Sequence, residues 1–66
     1  MQITLNGQPA ELAASITLDT LVQQLRLGER RVAIELNGEI VPRSLAGQTA
    51  VQPGDRIEIV HAIGGG

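Results

Sequence analysis

The sequence predicts an α+β domain, a mixed sheet of four to five strands packed on one helix. Two contrasting periodicities and a set of turn signals carry this expectation. Apolar and polar residues alternate in Met1-Gln2-Ile3-Thr4-Leu5, in Val32-Ala33-Ile34-Glu35-Leu36 and in Arg56-Ile57-Glu58-Ile59-Val60-His61, the period of a half-buried strand. Leu18, Leu21, Val22 and Leu25 recur instead at i, i+3, i+4 and i+7, which is one face of a helix. Asn37-Gly38 and Pro53-Gly54-Asp55 mark chain reversals between strands.

Each element follows in order. Met1 to Leu5 is the first strand. Asn6-Gly7-Gln8-Pro9 carries turn chemistry, and residues 10–13 return as a short, weakly marked second strand. Thr17 is placed to cap the helix, because its hydroxyl can accept a free backbone N–H. Asp19 in the first turn and Arg26 near the end match the helix dipole, and Gly28 can take the left-handed conformation that closes a helix. Val32 to Leu36 is the next strand, with Val32, Ile34 and Leu36 on one face. Asn37-Gly38 turns it into Glu39-Ile40-Val41, whose pairing Pro42 limits. Residues 44–47 read as irregular or a single turn, and 49–51 as a segment approaching the sheet. The last strand, from Arg56, puts Ile57, Ile59 and His61 on one face and Arg56, Glu58 and Val60 on the other. The expected core is Met1, Ile3, Leu5, Leu18, Leu21, Val22, Leu25, Val32, Ile34, Leu36, Ile40, Leu45, Val51, Ile57 and Ile59.

Composition narrows the function. A chain of 66 residues holds one small domain with a marginal core. It has no cysteine, so disulfides and thiolate metal sites are excluded, and the single histidine, His61, makes a poor structural metal site. No Phe, Tyr or Trp is present, so Leu, Ile and Val do the filling. All five basic residues are arginines and the net charge is −2. Nucleic-acid binders carry a basic stripe, and single-strand binders add stacking aromatics. The sequence has neither, so no nucleic-acid partner is expected. No apolar run approaches the roughly 20 residues that span a bilayer, and no signal segment opens the chain. The expectation is a cytoplasmic protein with no membrane partner.

Gly64-Gly65-Gly66 follows the last strand directly. Glycine has no side chain to pack and the widest backbone freedom, so residues 1–63 read as the domain and 64–66 as a flexible tail. A terminal carboxylate is an anion at neutral pH. It can attack the α-phosphorus of ATP to give an acyl-adenylate, which a sulfur nucleophile then converts to a thiocarboxylate. Glycines let the bare backbone enter a narrow site where a Cβ would clash. Catalysis then belongs to a partner enzyme and the domain is the handle.

The strand order, the single amphipathic helix and the Gly65-Gly66 end resemble the β-grasp, ubiquitin-like fold. More closely, the chain resembles the ThiS family of thiamine-biosynthesis sulfur carriers. The matching residues are Met1-Gln2-Ile3-Thr4-Leu5-Asn6-Gly7, the Thr17-Leu18 helix start with Leu21 and Leu25, and Leu36-Asn37-Gly38-Glu39-Ile40-Val41-Pro42-Arg43. The most specific piece is Gly54-Asp55-Arg56-Ile57-Glu58-Ile59-Val60-His61-Ala62-Ile63-Gly64-Gly65-Gly66. The resemblance spans the whole chain. It implies a protein that is not itself an enzyme and binds no cofactor. A ubiquitin-activating-type adenylating enzyme uses ATP to activate Gly66, with Gly64 and Gly65 as the rest of the tail. A sulfur donor system then makes the thiocarboxylate, and thiazole synthase takes the sulfur.

Plainer readings hold for the remaining candidates. His61 has no Ser, Cys or Asp constellation beside it and reads as a strand-end residue. Asp55 reads as turn stabilisation and Arg30-Arg31 as a solvated loop. Val60 lies opposite the core face and precedes Ala62 and Ile63, so these three are the expected docking surface. The rival functions are a carrier for molybdopterin or amino-acid biosynthesis, a protein modifier joined through Gly66, and an interaction module with an inert tail. The absence of aromatics near the tail favours the thiamine branch over the molybdopterin one.

Overall fold

The computed structural model of the protein describes residues 1–28 and 30–61. Two Asn-Gly reversals build its hairpins. Asn6 and Gly7, with φ of 50° and 81°, turn β1 (Gln2–Leu5) into β2 (Gln8–Glu11). Asn37 and Gly38, with φ of 53° and 88°, turn β3 (Val32–Leu36) into β4 (Glu39–Val41). Positive φ at both central residues gives a twist that matches the flanking strands. The first reversal is tighter than its sequence suggested, because Gln8 and Pro9 already pair with Leu5 and Thr4. Pro9 is tolerated because β2 is an edge strand.

The last strand, β5 (Arg56–His61), enters the middle of a five-stranded sheet of order β2-β1-β5-β3-β4. It runs parallel to β1 and antiparallel to β3. With the helix α1 (Leu18–Gln24) over one face, this is the β-grasp architecture. Thr17 caps α1 as expected, its Oγ1 accepting the Thr20 N–H at 3.2 Å.

The end of α1 differs from expectation. The left-handed residue is Arg26, with φ of 63°, and not Gly28. The Leu27 N–H donates to the Val22 carbonyl at 3.0 Å and the Arg26 N–H to that of Gln23 at 2.9 Å. These two bonds satisfy carbonyls that the last turn would otherwise leave free. Gly28 lies in the loop beyond, where the Arg43 guanidinium donates to the carbonyls of Gly28 and Arg30 and pairs with Asp19, each at 3.4 Å.

The core is aliphatic: Ile3, Leu18, Leu21, Val22, Ile34, Ala46, Val51, Ile57 and Ile59 are buried. Met1, Leu5, Val32 and Leu36 pack at its margin. Three residues expected inside are not. Leu25 is the helix C-cap, past the last turn that faces the sheet, and is 37% exposed. Leu45 lies on α2 (Arg43–Ala46), a single turn that buries Ala46 in its place and leaves Leu45 49% exposed. Ile40 is 67% exposed. The two-residue turn sets Leu36 opposite Glu39, so Ile40 falls opposite Glu35 and Val41 opposite Ile34. Ile40 therefore points to the solvent face and Val41 to the core. Residues 49–51 join the loop before α1 rather than the sheet: Val51 donates to the Ile16 carbonyl and Leu18 to that of Thr49. Among the described residues, no helix is long and apolar enough to cross a membrane.

Candidate functional site

The candidate site gathers where β5 ends. Side chains alternate along this strand, so Ile57 and Ile59 are buried while Arg56, Glu58 and Val60 are exposed. Val60 is 65% exposed. It stands opposite Ala33 of β3, and the next outward row is Glu58, Glu35 and Ile40. The solvent face of the sheet therefore places two large apolar side chains, Val60 and Ile40, beside two carboxylates that oppose one another. Val60 was singled out in the sequence; Ile40 was not. The signal for Ile40 was the Asn37-Gly38 turn, whose register decides which side of the sheet each β4 residue takes.

Ala62, Ile63, Gly64, Gly65 and Gly66 lie outside the described residues. His61 is the last described residue before them. It is half-buried and pairs with Val32, a strand position with no nucleophile or carboxylate hydrogen-bonded to it among the described residues. Asp55 acts in its turn, accepting from the Gln52 N–H at 2.7 Å and the Asn37 side-chain amide at 3.0 Å. Glu58 points to the solvent face and takes no part in that turn. Among the described residues no group of three or more His, Cys, Asp or Glu could hold a metal. The ion pairs seen are Arg43 with Asp19 and the N-terminus with Glu11.

A second surface adjoins the first. Leu5, Leu25, Leu27, Ile59 and His61 line an apolar groove of about 590 Å³ at the end of α1, with Glu58 at its rim. The groove and the Val60 face share the end of β5.

Among the described residues the arrangement offers two adjoining apolar surfaces at the end of β5. Residues 3–66 match the model of the ThiS family. A thiazole synthase of Paramagnetospirillum magneticum is 46% identical over all 66 residues, although the chain spans only 20% of that protein's length. The sulfur carrier protein ThiS of Escherichia coli is 39% identical over 66 residues, which is the whole of both chains. The crystal structure of a thiamine biosynthesis protein, ThiS, from Geobacter metallireducens superposes with a TM-score of 0.84 at 33% identity, again over the whole of both chains. The family model covers nearly the whole chain, the E. coli carrier matches it in length and sequence and the G. metallireducens structure in length and fold, and the chain belongs to the ThiS family.

Proposed function

We propose that the chain is a sulfur carrier that supplies sulfur for the thiazole ring of thiamine. The observation that carries this reading is its full-length likeness to a sulfur carrier of the same family, joined to a sequence that ends Gly64-Gly65-Gly66. Residues 1–63 act as the domain and 64–66 as the tail. The Gly66 carboxylate oxygen attacks the α-phosphorus of ATP on a ubiquitin-activating-type adenylating enzyme, and pyrophosphate leaves. A hydrosulfide equivalent from a sulfur donor system adds to the acyl carbon, AMP leaves, and a thiocarboxylate results. Thiazole synthase consumes that sulfur. The chain is a co-substrate in these steps and uses no catalytic side chain of its own. ATP serves the partner enzyme, and the cycle runs in the cytoplasm.

Gly64 and Gly65 carry the reacting carbonyl into the partner's site without a Cβ to obstruct it. Val60, Ala62 and Ile63 form the docking surface beside the tail, and the exposed Ile40 extends it across β3. An apolar face that costs solubility in the free carrier is then covered whenever a partner is engaged.

Intact mass of the protein treated with its adenylating enzyme, ATP and a sulfur donor tests the reading. Exchange of one oxygen for sulfur, absent when Gly66 is deleted, is the expected result. An unchanged mass in the complete system would overturn it. Isopeptide-linked conjugates in place of the mass shift would instead identify a protein modifier.

A further inference from the structure

β5 is paired along its whole length on one side only. Arg56 donates to the Asn37 side chain at 2.8 Å and accepts from the Asn37 N–H at 2.7 Å. Its main-chain groups therefore face β3, and by alternation so do those of Glu58 and Val60. Ile57, Ile59 and His61 face the other way, towards β1. There the ladder stops early. The Asn6 N–H donates to the Ile57 carbonyl at 2.9 Å, and the Ile59 N–H donates to the Asn6 side-chain oxygen at 2.8 Å. Beyond that point β1 has already turned into β2. Among the described residues nothing pairs with the Ile59 carbonyl or the His61 N–H on this edge.

We propose that this open edge at residues 59–61 is a strand-addition site, in which an extended segment of thiazole synthase pairs with β5. The proposal rests on the sulfur-carrier reading above and deepens it. Unpaired main-chain groups on a sheet edge are satisfied by another extended backbone. The surroundings specify its side chains. On the core side of the edge lies the apolar groove of Leu5, Leu25 and Leu27. On the solvent side stand Glu58 and, opposite it, Glu35, two like charges in adjacent strands that a cation would relieve. A paired strand presents successive residues to opposite faces. The fitting segment therefore alternates an apolar residue, seated over Leu25 and Leu27, with an arginine or lysine beside Glu58. Thiazole synthase is the favoured owner because a segment 46% identical to this chain forms part of a thiazole synthase chain, and such tethering keeps the two surfaces at high effective concentration.

His61 offers a direct test. Its N–H faces the open edge, so His61→Pro removes the edge donor and leaves the β3 ladder, carried by Val60, in place. His61→Ala removes the side chain and keeps the donor. Affinity of the full chain for purified thiazole synthase of the same organism should fall about ten-fold in the proline variant and stay within about two-fold in the alanine variant. Glu58→Lys should weaken it by a similar factor. Amide hydrogen exchange on the unmodified chain gives a reading free of folding effects, and the His61 amide should slow when the synthase is added. An unprotected His61 amide, or equal losses in the proline and alanine variants, would overturn the proposal. If the unmodified chain still gains sulfur in the complete adenylating system, that failure is of the edge alone. If it gains none, the carrier reading has failed first.

Discussion

Asn6 and Ile59, 53 residues apart, are joined by one hydrogen bond in which the Asn6 Oδ1 accepts the Ile59 N–H at 2.8 Å. The side chain stands where the next main-chain carbonyl of β1 would be if that strand continued. Asn6 also holds the positive φ of its turn, so two effects meet at one residue. Asn6→Gly keeps the turn and loses the acceptor, at a cost of about 1 kcal/mol. Asn6→Ala loses the acceptor and strains the turn, at about 2 kcal/mol or more. Urea unfolding of the two variants should show this order. Equal losses would mean that the hydrogen bond alone matters.

Arg26 occupies the left-handed position that closes α1, and among the described residues no side-chain hydrogen bond or ion pair holds its guanidinium there. Glycine reaches that conformation without the Cβ penalty. Arg26→Gly should therefore stabilise the domain by about 0.5–1 kcal/mol and raise Tm by a few degrees. A lower Tm would show that the arginine side chain supports the loop it enters.

Buried and exposed isoleucines should separate sharply. Ile34 is buried in the sheet centre, and Ile34→Ala should cost about 2–4 kcal/mol, a large share of what so short a chain can have. Ile40→Ser, on the solvent face, should change stability by about 0.5 kcal/mol or less. Paired thermal melts decide between this placement and one in which Ile40 belongs to the core.

Val60→Asp tests the docking face without emptying the core. The exposed position limits the stability cost to about 1 kcal/mol or less. Binding to the adenylating enzyme and to thiazole synthase, measured by titration calorimetry, should weaken by about ten-fold or more. Unchanged affinity for both partners would remove Val60 from the docking surface.

Much of this architecture was legible because strong local signals agreed with the global fold. The alternation in β5 correctly divided Ile57 and Ile59 from Val60, and Thr17 announced the start of α1. The errors share a cause: local pattern was read where register or geometry decides. Hydrophobicity alone places Ile40 inward, although the Asn37-Gly38 turn and the inward face of β3 together require Val41 there. Glycine favours positive φ, which points to Gly28 as the helix stop, yet Leu27 packs against the core and Arg26 takes that conformation instead. Ala46 was overlooked since a single turn has too few residues to show a period. The open edge of β5 could not be read at all. It depends on the β1 ladder stopping at Ile57, four residues before β5 ends, and only three-dimensional pairing reveals that.

The central position of β5 has a mechanical consequence. Whatever draws on the residues after His61 applies its force along a strand paired with β3 from 57 to 61, with hydrogen bonds at alternate residues, and with β1 at its start. Those bonds lie across the direction of pull and are loaded in shear together, whereas an edge hairpin would be peeled open one pair at a time. A strand anchored in this way lets a very small domain withstand a pull at its C-terminal end without unravelling.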